Sequence, residues 1–220
     1  MLEISEKLLA LIQKDLSPKE KCLSFLKKAI FLGYVKKGQR IVERDLVDLL
    51  KISRPPVREA IHQLAGENLV AHYPNKGCVV VGLTARDIKE IYELRMTLEC
   101  FVVHNLSDGA RSAELEAIKQ QLQEHFVKDT AQNFRFHRRL FDLLDHSWLK
   151  RFLGQIEEYT ELFYVFSYVR EGRKQEAFDE HIAVLDALIA QDAAKAQDII
   201  KAHIAGSQRD FLNAAASFYT

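Results

Sequence analysis

Two sets of side chains have the types and spacing for chemistry. The first is imidazole. His137, His181 and His203 fall on three separate helical stretches, and His137 lies four residues after Asn133, which puts both on one helix face. Val184, Leu185 and Leu188 flank His181 at helical spacing, and His203 sits among Ile199, Ile200 and Gly206. Three histidines on the inner faces of bundle helices could meet at one interior point, where zinc or nickel would suit them. Three separate, hydrogen-bonded core histidines would show the same spacing, so both readings stand. His62, His72, His104, His125 and His146 have no partner at a useful spacing. The second set is guanidinium. Arg54 and Arg58 are four apart at the start of the segment Ser53-Arg54-Pro55-Pro56-Val57-Arg58-Glu59-Ala60-Ile61-His62-Gln63-Leu64. An arginine pair presented at a helix N-terminus suits phosphate and guanine contacts, although two solvated arginines on an ordinary helix would read the same way.

The elements around the arginines decide between those readings. Ser53 is a good N-cap residue, two prolines follow in the first turn, and Val57, Ile61 and Leu64 form an apolar stripe. Upstream, Ser17-Pro18-Lys19-Glu20 has a capping-box layout, and its helix runs to a natural stop at Gly33. A third helix is expected near 43–50. A break at Lys51-Ile52-Ser53 then separates it from the arginine helix, which is the helix-turn-helix layout. Residues 69–73 and 78–81 read as two strands joined by Pro74-Asn75-Lys76-Gly77, a wing that would carry Lys76 at its tip. A further amphipathic helix is expected over residues 2–14.

From Thr84 onward the pattern is helical throughout. A long helix reaches about Leu106, and others follow near 112–127, 130–145, 147–169, 173–190 and 193–217. Short breaks between them imply antiparallel neighbours. The expected fold is therefore mainly α. Residues 1–82 form a winged helix-turn-helix with a small β-hairpin, and residues 83–220 an all-α antiparallel bundle.

Composition agrees with this division. The 220 residues are 48% hydrophobic and 28% charged, enough for a sizeable core and too ordered a composition for global disorder. Residues 1–82 hold 14 Lys+Arg against 9 Asp+Glu, a balance of +5, and the rest of this neutral chain carries −5. Only the first part is suited to a polyanion. No apolar run reaches membrane-spanning length, and the first residues lack a secretion-signal layout, so a cytoplasmic location is expected. Cys22, Cys78 and Cys100 are odd in number and far apart, as expected of reduced thiols.

With these elements in order, the N-terminal part resembles the GntR family of bacterial transcription regulators. The Ser53–Leu64 segment, the Glu43-Arg44-Asp45-Leu46 helix start and the Pro74–Gly77 wing carry that likeness. The helical remainder resembles the ligand-binding (FCD) domain of the FadR branch, in Glu93-Leu94-Arg95, Glu99 and the later histidine motifs. The resemblance implies operator DNA contacts by Arg44, Ser53, Arg54, Arg58, Lys76 and Gly77. It also implies a divalent metal, zinc or nickel, held by His137, His181 and His203. Asn133 stands where the family pattern has aspartate; its amide can still ligate, but weakly and without charge. Open metal positions would favour a small organic-acid effector. Arg95 is placed to clamp its carboxylate, or to form an ion pair with Glu99 at i,i+4.

The reading that follows is a ligand-responsive, homodimeric DNA-binding regulator, a repressor rather than an enzyme, with no membrane partner. Two alternatives remain. One is a metal-dependent enzyme, against which no carboxylate is evidently placed as a general base. The other is a metal-free regulator whose cavity, lined by Phe134, Phe136, Phe163, Tyr164 and Phe166, takes an acyl chain.

Overall fold

A computed structural model describes residues 15–125, 131–167 and 170–219; the expected 2–14 helix lies outside them. The chain is mostly helical and divides between Thr84 and Ala85 into two compact units.

The first unit holds α1 (Pro18–Phe31), β1 (Arg40–Ile41), α2 (Glu43–Leu50), α3 (Arg54–Gly66), β2 (Val70–Tyr73) and β3 (Gly77–Val80). The capping box at α1 is complete: Ser17 Oγ accepts from the Glu20 amide, and Glu20 Oε2 accepts from the Ser17 amide. Gly33, at φ +71°, takes the chain out of the helix in a conformation costly for other residues. Phe25, Leu26 and Ala29 of α1 are buried, as are Leu46 and Leu50 of α2 and Val57, Ala60, Ile61 and Leu64 of α3. Two lysines on α1 fix the neighbouring helix ends. Lys21 Nζ donates to the Leu50 carbonyl at the end of α2, and Lys27, nearly buried, pairs with Glu67 just after α3 at 2.8 Å.

The sheet runs β1-β3-β2, all antiparallel, with Tyr73 opposite Gly77 across the wing turn and Ile41 opposite Cys78. Strand β1 leaves no periodic signal in the sequence. At two residues it is too short to show an alternating period, and its partner lies almost forty residues away. The hairpin strands fall within a residue of the expected limits.

The second unit contains α4 (Ala85–Asn105), α5 (Ser112–His125), α6 (Ala131–Leu143), α7 (Ser147–Ser167), α8 (Arg173–Ile189) and α9 (Ala193–Tyr219). Tyr92, Phe163 and Phe211 form one aromatic cluster, with the Phe163 and Phe211 rings 4.4 Å apart. Val102, Leu115, Phe136, Leu140, Leu185, Leu188 and Ile200 are among the other buried side chains of its core. Among the described residues, no helix is long and apolar enough to cross a membrane.

Candidate nucleic-acid interface and metal centre

The arginine helix opens as its sequence requires, with one departure. Ser53 occupies the N-cap position with extended backbone, yet its side chain makes no capping hydrogen bond. The cause lies in the next residues. A cap side chain bonds the amide of the second or third helical residue, and here both are prolines without an N–H. The exposed Ser53 hydroxyl is left facing solvent beside Arg54, which is also exposed. Arg58, one turn further, donates its Nε to Glu43 Oε2 at 2.9 Å. Arg44 is exposed and stands 3.8 Å from Asp48 on its own helix.

At the wing, Asn75 and Gly77 both take positive φ, +68° and +74°. Lys76 between them is exposed at the tip. Gly77 has a second constraint: a Cβ there would lie 3.4 Å from Nε of Arg40. The Arg40 guanidinium therefore lies over the base of the wing. Sequence reasoning passed over Arg40, because its place depends on the unforeseen strand β1.

In the second unit, His137 of α6, His181 of α8 and His203 of α9 come together, all buried. One nitrogen from each lies within 4.8 Å of the other two. Nε2 of His181 and Nε2 of His203 are 3.3 Å apart. The expected fourth member, Asn133, is four residues before His137 on α6, but its side chain lies outside those described.

Two of the three rings are held from behind. His137 Nδ1 contacts Glu99 Oε2 at 2.6 Å, and the other oxygen of Glu99 accepts from Arg95 Nε at 2.6 Å. His203 Nδ1 contacts Glu180 Oε2 at 2.7 Å, and that oxygen also accepts from Arg173 Nη1 at 2.9 Å. Burial pushes Glu99 upward, but His137 and Arg95 outweigh it and bring the carboxyl down to about 2. Burial likewise brings His137 down to about 4, against the upward pull of Glu99. Burial lowers His203 too, partly offset by Glu180, and it puts His181 well below the ordinary histidine range. At neutral pH the carboxylates are charged and the imidazoles are not. A neutral ring whose Nδ1 faces a carboxylate carries its proton there, which leaves the Nε2 lone pair free to ligate.

His181 has no such support. Its ring stacks on Phe136 at 4.1 Å, and its buried Nδ1 has no hydrogen-bond partner among the described residues. If His181 donates from Nε2 to His203, its Nδ1 lone pair is stranded. If the proton sits on Nδ1, two lone pairs face each other at 3.3 Å with nothing between them. A cation resolves the second arrangement: two imidazoles sharing a tetrahedral zinc at about 2.0–2.1 Å stand roughly 3.3 Å apart. The residues fit a divalent metal.

Comparison with known proteins agrees with both halves. The model for bacterial regulatory proteins of the gntR family matches residues 18–80, and that for the FCD domain matches residues 90–206. This chain belongs to the GntR family. It is 30% identical to the HTH-type transcriptional regulator YdhC of Bacillus subtilis over 81% of this chain and 84% of that protein. The gluconate operon transcriptional repressor of the same organism is 30% identical over 77% and 74% of the two chains. Among solved structures, E. coli McbR/YncC superposes with a TM-score of 0.65 over 92% of this chain and 99% of that one, at 22% identity. A GntR regulator from Rhodococcus gives 0.60 over 90% and 99%, at 25% identity.

This GntR protein is therefore a DNA-binding transcriptional regulator and not an enzyme. The general base that the sequence did not reveal is no longer needed. Of the aromatics suggested for an acyl cavity, Phe136 and Phe163 are wholly buried in ring stacks; the side chains of Phe134, Tyr164 and Phe166 lie outside those described. The carboxylate–arginine pairs behind the histidines went largely unread. Glu180 adjoins His181 in sequence but serves His203, a pairing that no spacing rule conveys.

Proposed function

We propose that this regulator is a homodimeric repressor whose operator affinity is set by a small carboxylate effector, bound at or beside a divalent metal. His137, His181 and His203 hold the metal, with Asn133 a weak fourth ligand. The observation that carries this reading is the three buried imidazoles gathered within 4.8 Å, two of them backed by carboxylates. Structural core histidines have no need of such convergence. The metal would supply a positive anchor for a carboxylate. The protein's own part is to keep the ligand nitrogens unprotonated and aimed. Arg95, tied to Glu99 through Nε, reaches the effector with its terminal nitrogens. Neutral Asn133 in place of aspartate leaves the loaded site one unit more positive, which favours an anionic effector.

On the DNA side, Arg54, Arg58 and Arg44 read the operator. Ser53, its hydroxyl free of capping, takes a phosphate together with Lys76 and Gly77 at the wing. Exposed Leu94 and Phe101 on α4, with Trp148 and Phe152 on α7, supply an apolar face for a second copy. Phe101 meets His146, just before α7, edge-on at 5.9 Å, so the two parts of that face adjoin. A two-fold protein also matches a two-fold operator. The gluconate operon repressor among the relatives supports repression, and gluconate, for which that operon is named, is an organic acid anion.

The test uses untagged protein and a duplex it selects from a random pool. Elemental analysis should find one zinc or nickel per chain, and organic acids should weaken DNA binding only in metal-loaded protein. Absence of stoichiometric metal, with chelator changing nothing, rejects the metal centre. A monomer by light scattering at micromolar concentration, or a dimer unaffected by Phe152→Glu, rejects the assigned face.

A further inference from the structure

Arg173 is the first residue of α8, yet it is only 2% exposed. Burying a guanidinium is costly unless charges and hydrogen bonds compensate, and its partners show what it does. Nη1 lies 2.9 Å from Glu180 Oε2, the same oxygen that faces His203 Nδ1 at 2.7 Å. Nη2 donates to the backbone carbonyl of His203 at 3.3 Å. Nε lies 3.2 Å from Asp210 Oδ2, an ion pair without hydrogen-bond alignment, and Asp210 is in turn held by Arg170. One guanidinium therefore grips His203 twice, through the carboxylate on its ring and through its own main chain.

The small residue Gly206 lies against this guanidinium. The guanidinium rests on the backbone of α9, and a Cβ at Gly206 would lie 3.5 Å from Nη2 and 3.7 Å from Cζ. A methyl group there is in ordinary contact. A larger side chain would take the place of the guanidinium.

We infer that Arg173, seated on Gly206, is the positioning residue that fixes the His203 ring with Nε2 turned toward His181 and His137. The inference rests on the metal reading, but the ring it fixes can be observed without metal.

Long-range proton–nitrogen spectra of the metal-free full chain report which ring nitrogen of His203 carries the proton. The parent chain should show a single Nδ1–H form. Arg173→Met should give a mixture of forms and weaken zinc binding, measured by chelator competition, by about 10–100-fold. Arg173→Lys should recover part of both, since an ammonium can hold Glu180 without the planar fork. Gly206→Ala should leave both intact, whereas Gly206→Leu, which alters no charge, should reproduce Arg173→Met. If Arg173→Met does not fold, the Gly206 pair decides. A folded Arg173→Met or Gly206→Leu chain with the parent tautomer and zinc affinity overturns the inference. If the parent itself takes no zinc, the metal reading falls and the tautomer alone decides the role of Arg173.

Discussion

The two units handle charge in opposite ways. In the DNA-binding unit the side chains assigned to the operator are exposed, and their ion pairs, Arg58–Glu43 and Arg44–Asp48, lie in water. Such pairs contribute about 0–1 kcal/mol each. In the helical unit, Arg95, Glu99, His137, His181 and His203 are all buried, and removing one member strands another. The first surface is replaceable at little cost to folding. The second is both part of the core and the candidate site, so function and stability cannot be separated there.

The largest expected effect tests that inseparability. Glu99→Ala leaves the Arg95 cation buried without its partner, and should cost about 3–5 kcal/mol in a urea or thermal melt. A loss below about 1 kcal/mol would mean that the buried network relaxes as easily as the exposed one. Next comes metal. Zinc at about 100 times its dissociation constant should stabilise the folded helical unit by about 2.7 kcal/mol, reversed by chelator and absent in His203→Ala. A melt unmoved by zinc would remove the functional half of the contrast. On the other side, Arg58→Ala should cost about 1–3 kcal/mol of operator binding in a gel-shift titration. Its melt should stay within about 0.5 kcal/mol of the parent. Undiminished operator affinity would displace Arg58 from the interface. The smallest effect belongs to Ser53→Ala. Loss of an N-cap usually costs about 1 kcal/mol, but here the two prolines leave no amide to cap, so stability should hardly change. A full capping loss would show that the hydroxyl does bond the backbone in solution.

The same contrast explains what could be read from the sequence. The helix-turn-helix was legible because its signals are local: the capping box at Ser17 and Glu20, the prolines after Ser53, and the stripe Val57, Ile61, Leu64. The three histidines could be picked out by helical register, but their meeting depends on how α6, α8 and α9 cross. Glu99 was visible only as an i,i+4 neighbour of Arg95. Its second bond, to His137, spans 38 residues and follows no periodicity. Strand β1 and the place of Arg40 over Gly77 were hidden for the same reason. Ser53 shows the reverse case. Each local rule held, but the residues that make the helix start unmistakable also remove the amides its cap would need.

The ion pair between Arg58 and Glu43 has one more consequence. If Arg58 meets the operator as proposed, Glu43 is an intramolecular competitor that a guanine or phosphate must displace. A loosely placed anion gains little by that exchange, while a correctly spaced operator gains several contacts at once. On that reading the carboxylate penalises chance encounters along the genome more than it penalises the true target. On the proposed reading it also stands ready to recapture the arginine as DNA departs, which shortens residence on the operator.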